Sequence, residues 1–363
     1  MYSLEHIGYT EKQILKQLRG NRTVSYRYEL LDKNERPIGD VTASGSISFD
    51  SSAAIKRVAD LVIREHKEVD YLSDRIKPYM RLKLGNSFAE FPLGVFLMSS
   101  PQRQEDGVSI SKNVECYDKT QILSDDKFDT RYLVRAGENY INAVATIIAS
   151  AGINNYRLDA CSLTLRTDIE FSVGTSKLDA INQLLKAINY NELYADSYGT
   201  IRAAKYEQPE GRKINIYYTT DKDSIVLPGA EELLDTFQAP NKIIRYLENA
   251  ESECLIASVV NSDPASKLST VSRGRTIVDI EAVYDIADQA TLEAYTQRVA
   301  AEKKIYQQII FNSAVMPHHE FQDCLYLENK GLGISGKYIE TAWSINMSVG
   351  GTMSHTCRRA VSI

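Results

Sequence analysis

A glycine-rich segment near the C-terminus has the residue types of a phosphate-binding loop. Residues Gly331–Lys337 fit a dinucleotide-binding glycine pattern and most of a Walker A loop. A phosphate loop opens into a helix whose N-terminal amides face the anion, whereas this chain continues with alternating polar and apolar residues. Tyr338 also stands where the magnesium-binding Ser or Thr would be, and too little sequence follows for a βαβ unit. We therefore interpret the glycines as a turn between two strands.

One local group has the residue types of a metal site. His318-His319-Glu320 is followed closely by Asp323 and Cys324. The group lacks the i, i+4 helical spacing of HExxH and comes directly after Pro317, so a solvated loop before a strand is favoured over a zinc site. The other three histidines are isolated in the sequence, and no GxSxG motif is present; they are His6, His66 and His355.

Two acidic groups contain the residues that a glycosidase uses. They are Asp125-Asp126 with Asp129, and Glu231-Glu232 with Asp235. Both lie in polar, loop-like surroundings, where solvated surface acids are the favoured interpretation, although the sequence leaves a catalytic pair open. We therefore predict no catalytic, cofactor-binding or metal-binding residues, no cofactor, and a protein that is not an enzyme.

The bulk composition is that of a soluble globular protein. The chain has 363 residues, a net charge of −6 and an unusual 22 tyrosines against nine phenylalanines. The negative net charge argues against a surface that binds duplex DNA. Tyrosine suits half-buried sheet faces and protein interfaces. Five scattered cysteines indicate neither disulfides nor a metal knuckle. The sequence predicts no signal peptide and no membrane anchor.

The chain is organised around strands near its C-terminus. From Ile339 to Val349 apolar side chains recur at every second position, which predicts a two-faced strand that contains the only tryptophan. The pair Gly350-Gly351 suits a hairpin turn, so Thr352–Val361 is expected to run back as the partner. Asp323–Glu328 forms a third expected strand. We interpret this sheet as part of a β-barrel.

The N-terminal third also has a β pattern. A capping box at Thr10 predicts one short helix that ends at Gly20. A hairpin is expected from Thr23–Leu30 and Val41–Phe49. Residues 53–65 fit both a helix and a strand, with the strand favoured. Further strands are predicted within Tyr79–Ser99 and at Val108–Tyr117, which completes an N-terminal β-barrel-like domain of residues 1–129.

The hydrophobic pattern changes in residues 130–207, which are predicted to form a small α/β module. Apolar stripes at helical spacing predict helices at Asn139–Gly152 and Ser176–Asn189. Short strands are expected at Asp168–Val173, Glu192–Asp196 and Thr200–Tyr206.

Residues 208–363 are predicted to form a second β-barrel-like domain with a long helix at about 286–310. A polar patch at Pro228–Pro240 precedes strands near Ile243–Glu248 and Cys254–Asn261, and Asn261–Arg275 is expected to be an exposed loop. The helix, Asp288–Ile310, is expected to pack across the second barrel. Two interpretations of Arg273-Gly274-Arg275 stay open. The arginines bind an anion or a neighbouring subunit, or they only keep an exposed loop soluble.

Several segments together resemble the central hub proteins of phage tail tips and baseplates, including those of prophages and phage-like bacteriocins. The resemblance covers most of the chain and depends on the order and spacing of short segments. They are Asp74–Pro78, Phe91–Leu97, Tyr117–Thr120, Leu178–Leu185 with Tyr190, Ala239–Asn241, Ser272–Arg275 and Met347–Met353.

The resemblance implies a β-rich α+β multidomain protein with two tail-tube-like β-barrels and an inserted α/β module. It further implies a homotrimeric adaptor that closes a sixfold tail tube and joins it to a threefold tip. The expected partners are a tail-tube or distal tail ring, a tape-measure protein, and a spike, fibre or lysin protein that would carry any lytic activity. DNA would pass through an acidic lumen without specific binding.

The same resemblance places the protein at the virion tail tip, assembled in the bacterial host cytoplasm. The candidate subunit-contact residues are Arg273, Arg275, Trp343 and Met347. Two alternatives stay open: a cell-wall (peptidoglycan) hydrolase of a tail, and a carbohydrate-binding receptor module.

Overall fold

The computed structural model describes residues 4–6, 8–65, 69–105, 107, 109–209, 211–222, 224–234, 237, 239–247, 255–283, 285–303 and 307–359. Among the residues singled out from the sequence, His66 and Asp235 lie outside these ranges. So do the predicted strand ends at Val108, Glu248, Cys254 and Val361.

The described chain contains six helices and 23 strands. The helices are α1 (Glu11–Arg19), α2 (Gln121–Asp125), α3 (Tyr140–Ser150), α4 (Lys177–Ala187), α5 (Thr270–Arg273) and α6 (Gln289–Lys303). The strands of the first third are β1 (Val24–Leu31), β2 (Pro37–Val41), β3 (Ala43–Asp50), β4 (Arg57–Arg64), β5 (Arg75–Leu84), β6 (Ser87–Pro92), β7 (Phe96–Met98), β8 (Gln102–Glu105) and β9 (Ile110–Asp118). The strands of the middle are β10 (Tyr132–Val134), β11 (Tyr156–Leu158), β12 (Ile169–Phe171), β13 (Tyr194–Ala195) and β14 (Ile201–Ala203). The remaining strands are β15 (Ile216–Tyr218), β16 (Glu231–Leu234), β17 (Lys242–Leu247), β18 (Ile256–Val260), β19 (Val278–Val283), β20 (Gln307–Ala314), β21 (Cys324–Asn329), β22 (Ile334–Asn346) and β23 (Thr352–Arg359).

Strands from both ends of the chain join in one sheet of 15 strands. Its main path runs β16-β20-β23-β22-β3-β4-β9-β7-β5-β1-β2, and β6, β8, β15 and β21 branch from it. The antiparallel pairing of β22 with β3 connects the C-terminal strands to the N-terminal ones. The described ladders do not return on themselves, so the fold is β-rich and multi-sheet, without the two separately closed barrels expected from the sequence. A single apolar core runs along both halves of the sheet.

Local sequence signals explain several N-terminal elements. The capping box at Thr10 is present, because its hydroxyl accepts from the Gln13 amide and the Gln13 side chain accepts from Thr10. Residues 57–64 form a strand, as favoured. The predicted Val41–Phe49 return strand is wrong in its pairing: the short β2 completes the hairpin with β1, whereas β3 pairs with β4 and β22.

The long C-terminal strand β22 contains an irregularity that alternation alone did not predict. The register against β23 shifts between Glu340 and Ala342, which is the signature of a β-bulge. On the C-terminal side of the bulge the predicted phase holds, with Trp343 and Ile345 buried. On its N-terminal side Tyr338 and Glu340, which the predicted phase places on the polar face, are buried, and Ile339 is buried as well.

The middle of the chain contains the two predicted helices and strands at each of the three predicted positions, together with β10 and β11, which were not predicted. Helices α3 and α4 begin where expected, because Asn139 and Ser176 accept hydrogen bonds from amides of the first turn. Strands β10 and β12 pair, and β14 lies between β11 and β13. These elements enclose their own apolar core.

The long helix is shorter than predicted and packs elsewhere. It ends at Lys303, and Gln307–Ala314 is already strand β20 of the large sheet. Helix α6 covers a separate three-stranded sheet, in the order β18-β17-β19, so the expectation that it packs across the second barrel is wrong. Strand β19 was missed because its exposed apolar positions follow a loop-like segment. No helix in the described ranges is long and apolar enough to cross a membrane.

Candidate assembly interface

The three-stranded sheet β18-β17-β19 has one face covered by helix α6. Ile243, Leu247 and Val283 meet the helix on this inner face. Arg245 also points inward and is 1 % exposed, and its guanidinium contacts Asp279 at 2.6 Å and Glu281 at 3.2 Å. These ion pairs fix the register of β17 against β19 from the inside of the unit.

The opposite face of the same sheet is apolar and open. Its three cross-strand rows are Val260-Lys242-Val278, Ser258-Ile244-Ile280 and Ile256-Tyr246-Ala282. Two of its isoleucines are widely exposed, Ile280 at 61 % and Ile256 at 57 %, whereas Ile244 in the central strand is half-buried. Only Lys242 among these nine residues is charged. A contiguous apolar face of this kind marks an interaction surface, and we call these nine residues the open face.

The predicted arginines lie near the end of the sheet at which β17 and β19 begin. The Arg273 guanidinium donates to the main-chain oxygens of Ala239 at 2.6 Å and Phe237 at 2.7 Å, and Arg275 donates to Phe237 at 3.0 Å. The Arg275 guanidinium also lies over the Phe237 ring, 4.9 Å from its centre. The two arginines therefore hold a 71 % exposed phenylalanine in the segment that leads into β17.

The other two candidate contact residues are buried within the chain. Trp343 is 3 % exposed and stacks on Phe49 with ring centres 5.6 Å apart, and Met347 is 2 % exposed. The strands of this same chain cover both side chains, so neither is available to a second subunit. The expectation of a subunit-contact role for Trp343 and Met347 is corrected for that reason.

The glycine-rich segment forms a turn, as interpreted from the sequence. Asn329 of β21 pairs with Ile334 of β22, and Gly333 has a φ of 66°, which a side chain would disfavour. The chain then continues as a strand with no helix N-terminus at the loop, so the phosphate-loop alternative is excluded here.

The acidic groups are engaged in ordinary surface contacts. Asp125 accepts from Gln121 at 2.7 Å, and Asp126 pairs with Lys177 at 2.5 Å. Glu231 and Glu232 lie in the strand β16. None of these described carboxylates faces a second one across an enclosed pocket.

Two histidines, His319 and His355, form a buried polar network, contrary to the solvated loop predicted for His318-His319-Glu320. His319 is 2 % exposed, and its Nδ1 lies 2.5 Å from Oε2 of Glu340. His355, which looked isolated in the sequence, places its Nδ1 2.6 Å from Oε1 of the same carboxylate. The far nitrogens meet hydroxyls at 2.8 Å, His319 with Tyr218 and His355 with Ser313. We call these five residues the histidine ring.

Burial governs the ionisation of this network. It raises the pKa of Glu340 and raises that of Tyr218 well above its ordinary value. It also lowers the pKa of His319 to about 3 and lowers that of His355. Both imidazoles are therefore held in the neutral form at physiological pH.

A cleft of about 650 Å³ lies where the α/β module meets the C-terminal strands. Its acids mainly hold structure: Asp196 accepts from two amides of the β13–β14 turn, at 3.0 and 2.9 Å. Glu320 pairs with Arg57 at 2.9 Å, and Asp323 accepts from Asn215 at 2.6 Å. Burial raises the pKa of Asp323 to about 8.

Sequence reasoning missed the open face, although its signal was partly present. The alternation in β17 was read as a strand, but β19 was not recognised, so the third strand of the face was absent from the prediction. The histidine ring had no local signal, because its members come from five separate segments of the sequence.

The fold is similar to that of phage tail proteins. The chain matches the tail protein from Neisseria meningitidis MC58 with a TM-score of 0.64 and 11 % identity, over 92 % of this chain and 97 % of that one. It matches the 43 kDa tail protein of prophage MuSo2 from Shewanella oneidensis with a TM-score of 0.61 and 11 % identity, over 92 % and 98 % of the two chains.

A third similar structure is the prophage tail protein gp18 from Listeria monocytogenes EGD-e. Its TM-score is 0.57 at 12 % identity, over 93 % of this chain and 95 % of that one. No family model and no curated protein matches the sequence. The resemblance inferred from short sequence segments is thus confirmed at the level of the fold.

Proposed function

We propose that this protein is a structural hub of a phage or phage-like tail tip, a non-enzymatic homotrimer that ends the tail tube and joins it to the tip. The observation that carries the proposal is the shared fold with phage tail proteins, which extends over nine-tenths of the chain at TM-scores of 0.57 to 0.64. A fold shared over nine-tenths of the chain, and not over one module only, supports a similar structural role by analogy of fold.

Each half of the large sheet would supply one tail-tube-type unit. The first unit is β1–β9, and the second comprises β15, β16 and β20–β23, joined to the first through the β3–β22 pairing. Three subunits with two such units each would present six similar elements to a sixfold tube. In this proposal the tubular unit is completed by neighbouring subunits, since the described strands of one chain do not close.

The open face is the proposed contact with a second copy of this chain. Seven of its nine residues are apolar, and leaving them in water is unfavourable. In a cyclic trimer the contact is heterologous, so the open face of one subunit meets a different surface of the next. Arg273 and Arg275, which hold Phe237 beside this face, would line the rim of the contact.

The remaining partners follow from the tail-tip position. A tube or distal tail ring would lie above the hub, a spike, fibre or lysin protein below it, and a tape-measure protein within the lumen. DNA would pass without specific binding, which agrees with the acidic balance of −6. The protein would be assembled in the host cytoplasm and reside in the virion.

Oligomeric mass and shape test the proposal. Sedimentation equilibrium at tens of micromolar should give a trimer, and negative-stain images should show threefold particles with a central opening. A monomer at every concentration, with featureless particles, would argue strongly against a hub. The hydrolase alternative is tested separately by a zymogram on bacterial cell walls, in which the hub predicts no clearing.

A carbohydrate-binding receptor module is the second candidate, and the cleft favours it. Tyr194 and Phe321 stack there with ring centres 4.5 Å apart, and the cleft is also lined by Tyr198 and polar side chains. The side-chain oxygen of Asn191, another lining residue, has no hydrogen-bond partner in the described structure. Retention on host cell walls, lost when Tyr198 is replaced by Ala, would support this second function.

A further inference from the structure

The histidine ring is built around one buried carboxylate. Two contacts join the imidazoles to Glu340, and two join them to Tyr218 and Ser313. The two rings and the two hydroxyls supply one proton for each of these four contacts, so an ionised Glu340 keeps an unbalanced negative charge.

Glu340 also lacks a lysine or arginine partner among the described residues. Its side chain is 1 % exposed, and its ion-pair partners in the described ranges are His319 and His355. A buried carboxylate that lacks a cation is strongly destabilising. Each imidazole directs one nitrogen at the carboxylate, and a neutral imidazole is a form that binds metals.

The donor set and its surroundings fit a metal ion. The ligand atoms of His319, Glu340 and His355 lie within 4.8 Å of one another, and two histidines with one glutamate are a zinc-binding combination. The far nitrogens are fixed by Tyr218 and Ser313, which is the outer-sphere arrangement that orients metal-bound imidazoles. We propose that His319, Glu340 and His355 bind one divalent transition-metal ion of the zinc class as a structural site.

Binding requires a small rearrangement of the three ligands. The Nδ1-to-carboxylate distances of 2.5 and 2.6 Å are hydrogen-bond distances, whereas ligand atoms around a tetrahedral zinc ion lie about 3.3 Å apart when each bond is about 2.0 Å. The imidazoles and the carboxylate therefore separate by roughly 0.7 Å on loading, while the contacts to Tyr218 and Ser313 are kept.

The neighbouring strand carries a candidate fourth ligand, which lies outside the group of three ligand atoms within 4.8 Å of one another. Cys357 pairs with Glu340 in the β22–β23 register and is fully buried. Its thiol would lose a proton on binding, because thiolate is the metal-binding form. The ion would then join β22, β23 and the segment before β21, and would stabilise the C-terminal half of the sheet independently of any oligomer.

Metal content and cobalt substitution test this site on the full-length protein. We expect one zinc ion per chain by elemental analysis of protein purified without chelators, and a lower melting temperature after chelation that returns on adding zinc. Cobalt in its place should give the intense visible absorption of a tetrahedral site, and a near-ultraviolet charge-transfer band if Cys357 is a ligand. Folded protein with no metal, no cobalt spectrum and no response to chelator would overturn the proposal.

Matched variants distinguish the loss of a metal ligand from a general effect on folding. His355→Gln should abolish cobalt absorption, whereas His318→Gln, a neighbouring buried histidine whose Nδ1 makes no hydrogen bond in the described structure, should leave the spectrum unchanged. Equal cobalt spectra for both variants would contradict the assignment. If His355→Gln does not fold, the wild-type measurements decide the question by themselves.

Discussion

Replacing Ile280 by Lys should dissociate the proposed trimer without unfolding the subunit. Ile280 lies in the middle row of the open face and is 61 % exposed. Full burial of such a side chain is worth about 1.5–3 kcal/mol, so covering the exposed part contributes roughly 1–2 kcal/mol at each interface. Three equivalent interfaces give about 3–6 kcal/mol per trimer. The trimer dissociation constant should therefore rise by about 10²- to 10⁴-fold, and a buried ammonium would raise it further.

Sedimentation equilibrium over a range of concentrations measures this effect. Val173→Lys is the matched control, because Val173 is also 61 % exposed but lies in the α/β module, away from the open face. The control should remain trimeric, and both variants should keep the wild-type circular dichroism. A milder change, Ile280→Thr, should give an intermediate constant. An Ile280→Lys trimer as stable as wild type would refute the assignment of the open face to the subunit contact.

Three further predictions concern the stability of the subunit. Burial raises the pKa of Asp285 to about 6, so the native state holds this proton more tightly than the unfolded state. Stability is therefore lost as pH rises from about 3.8 through about 6. Asp285→Asn should stabilise the protein at pH 7 by up to about 3 kcal/mol but not at pH 3, as followed by thermal unfolding. Arg245→Ala removes one of the two cations beside Asp279, which keeps its ion pair with Lys303, and should lower the free energy of unfolding in urea by up to about 3 kcal/mol. Arg245→Met removes the same charge but keeps most of the buried volume, so it should lose nearly as much; a negligible loss for Arg245→Met would contradict the charge-based reasoning. Gly45→Ala places a Cβ 2.0 Å from the main-chain oxygen of Asp60 and should destabilise by more than about 2 kcal/mol, whereas Gly137→Ala, with open space around it, should lose about 1 kcal/mol from its positive φ alone.

Patterns that act over a few residues were sufficient to predict many elements of this protein. The capping box at Thr10, the caps at Asn139 and Ser176, and the turn within Gly331–Lys337 each depend on neighbours in the sequence. Backbone conformation and hydrogen bonding within one turn decide such features, so the sequence alone predicts their places. The alternation after Ile339 likewise predicted a strand.

The pairing of distant strands was decided only by the tertiary structure. Alternation tells which residues share a face but not which strand lies beside them, so neither the β3–β22 pairing nor the union of both β-rich ends in one sheet could be read from the pattern. The bulge beyond Glu340 shows the same limit, because one extra residue reverses the face on which earlier residues lie.

The open face and the histidine ring show the same difference between local and long-range sequence separation. Arg273 and Arg275 were recognised as contact candidates from local composition, while the open face beside them needed three strands to be aligned. The histidine ring unites side chains from Tyr218 to His355, and no spacing in the sequence marks them as neighbours. Sequence determined the local elements and the β-rich character, whereas long-range packing decided which of their side chains meet, because only the folded chain brings distant segments within bonding distance.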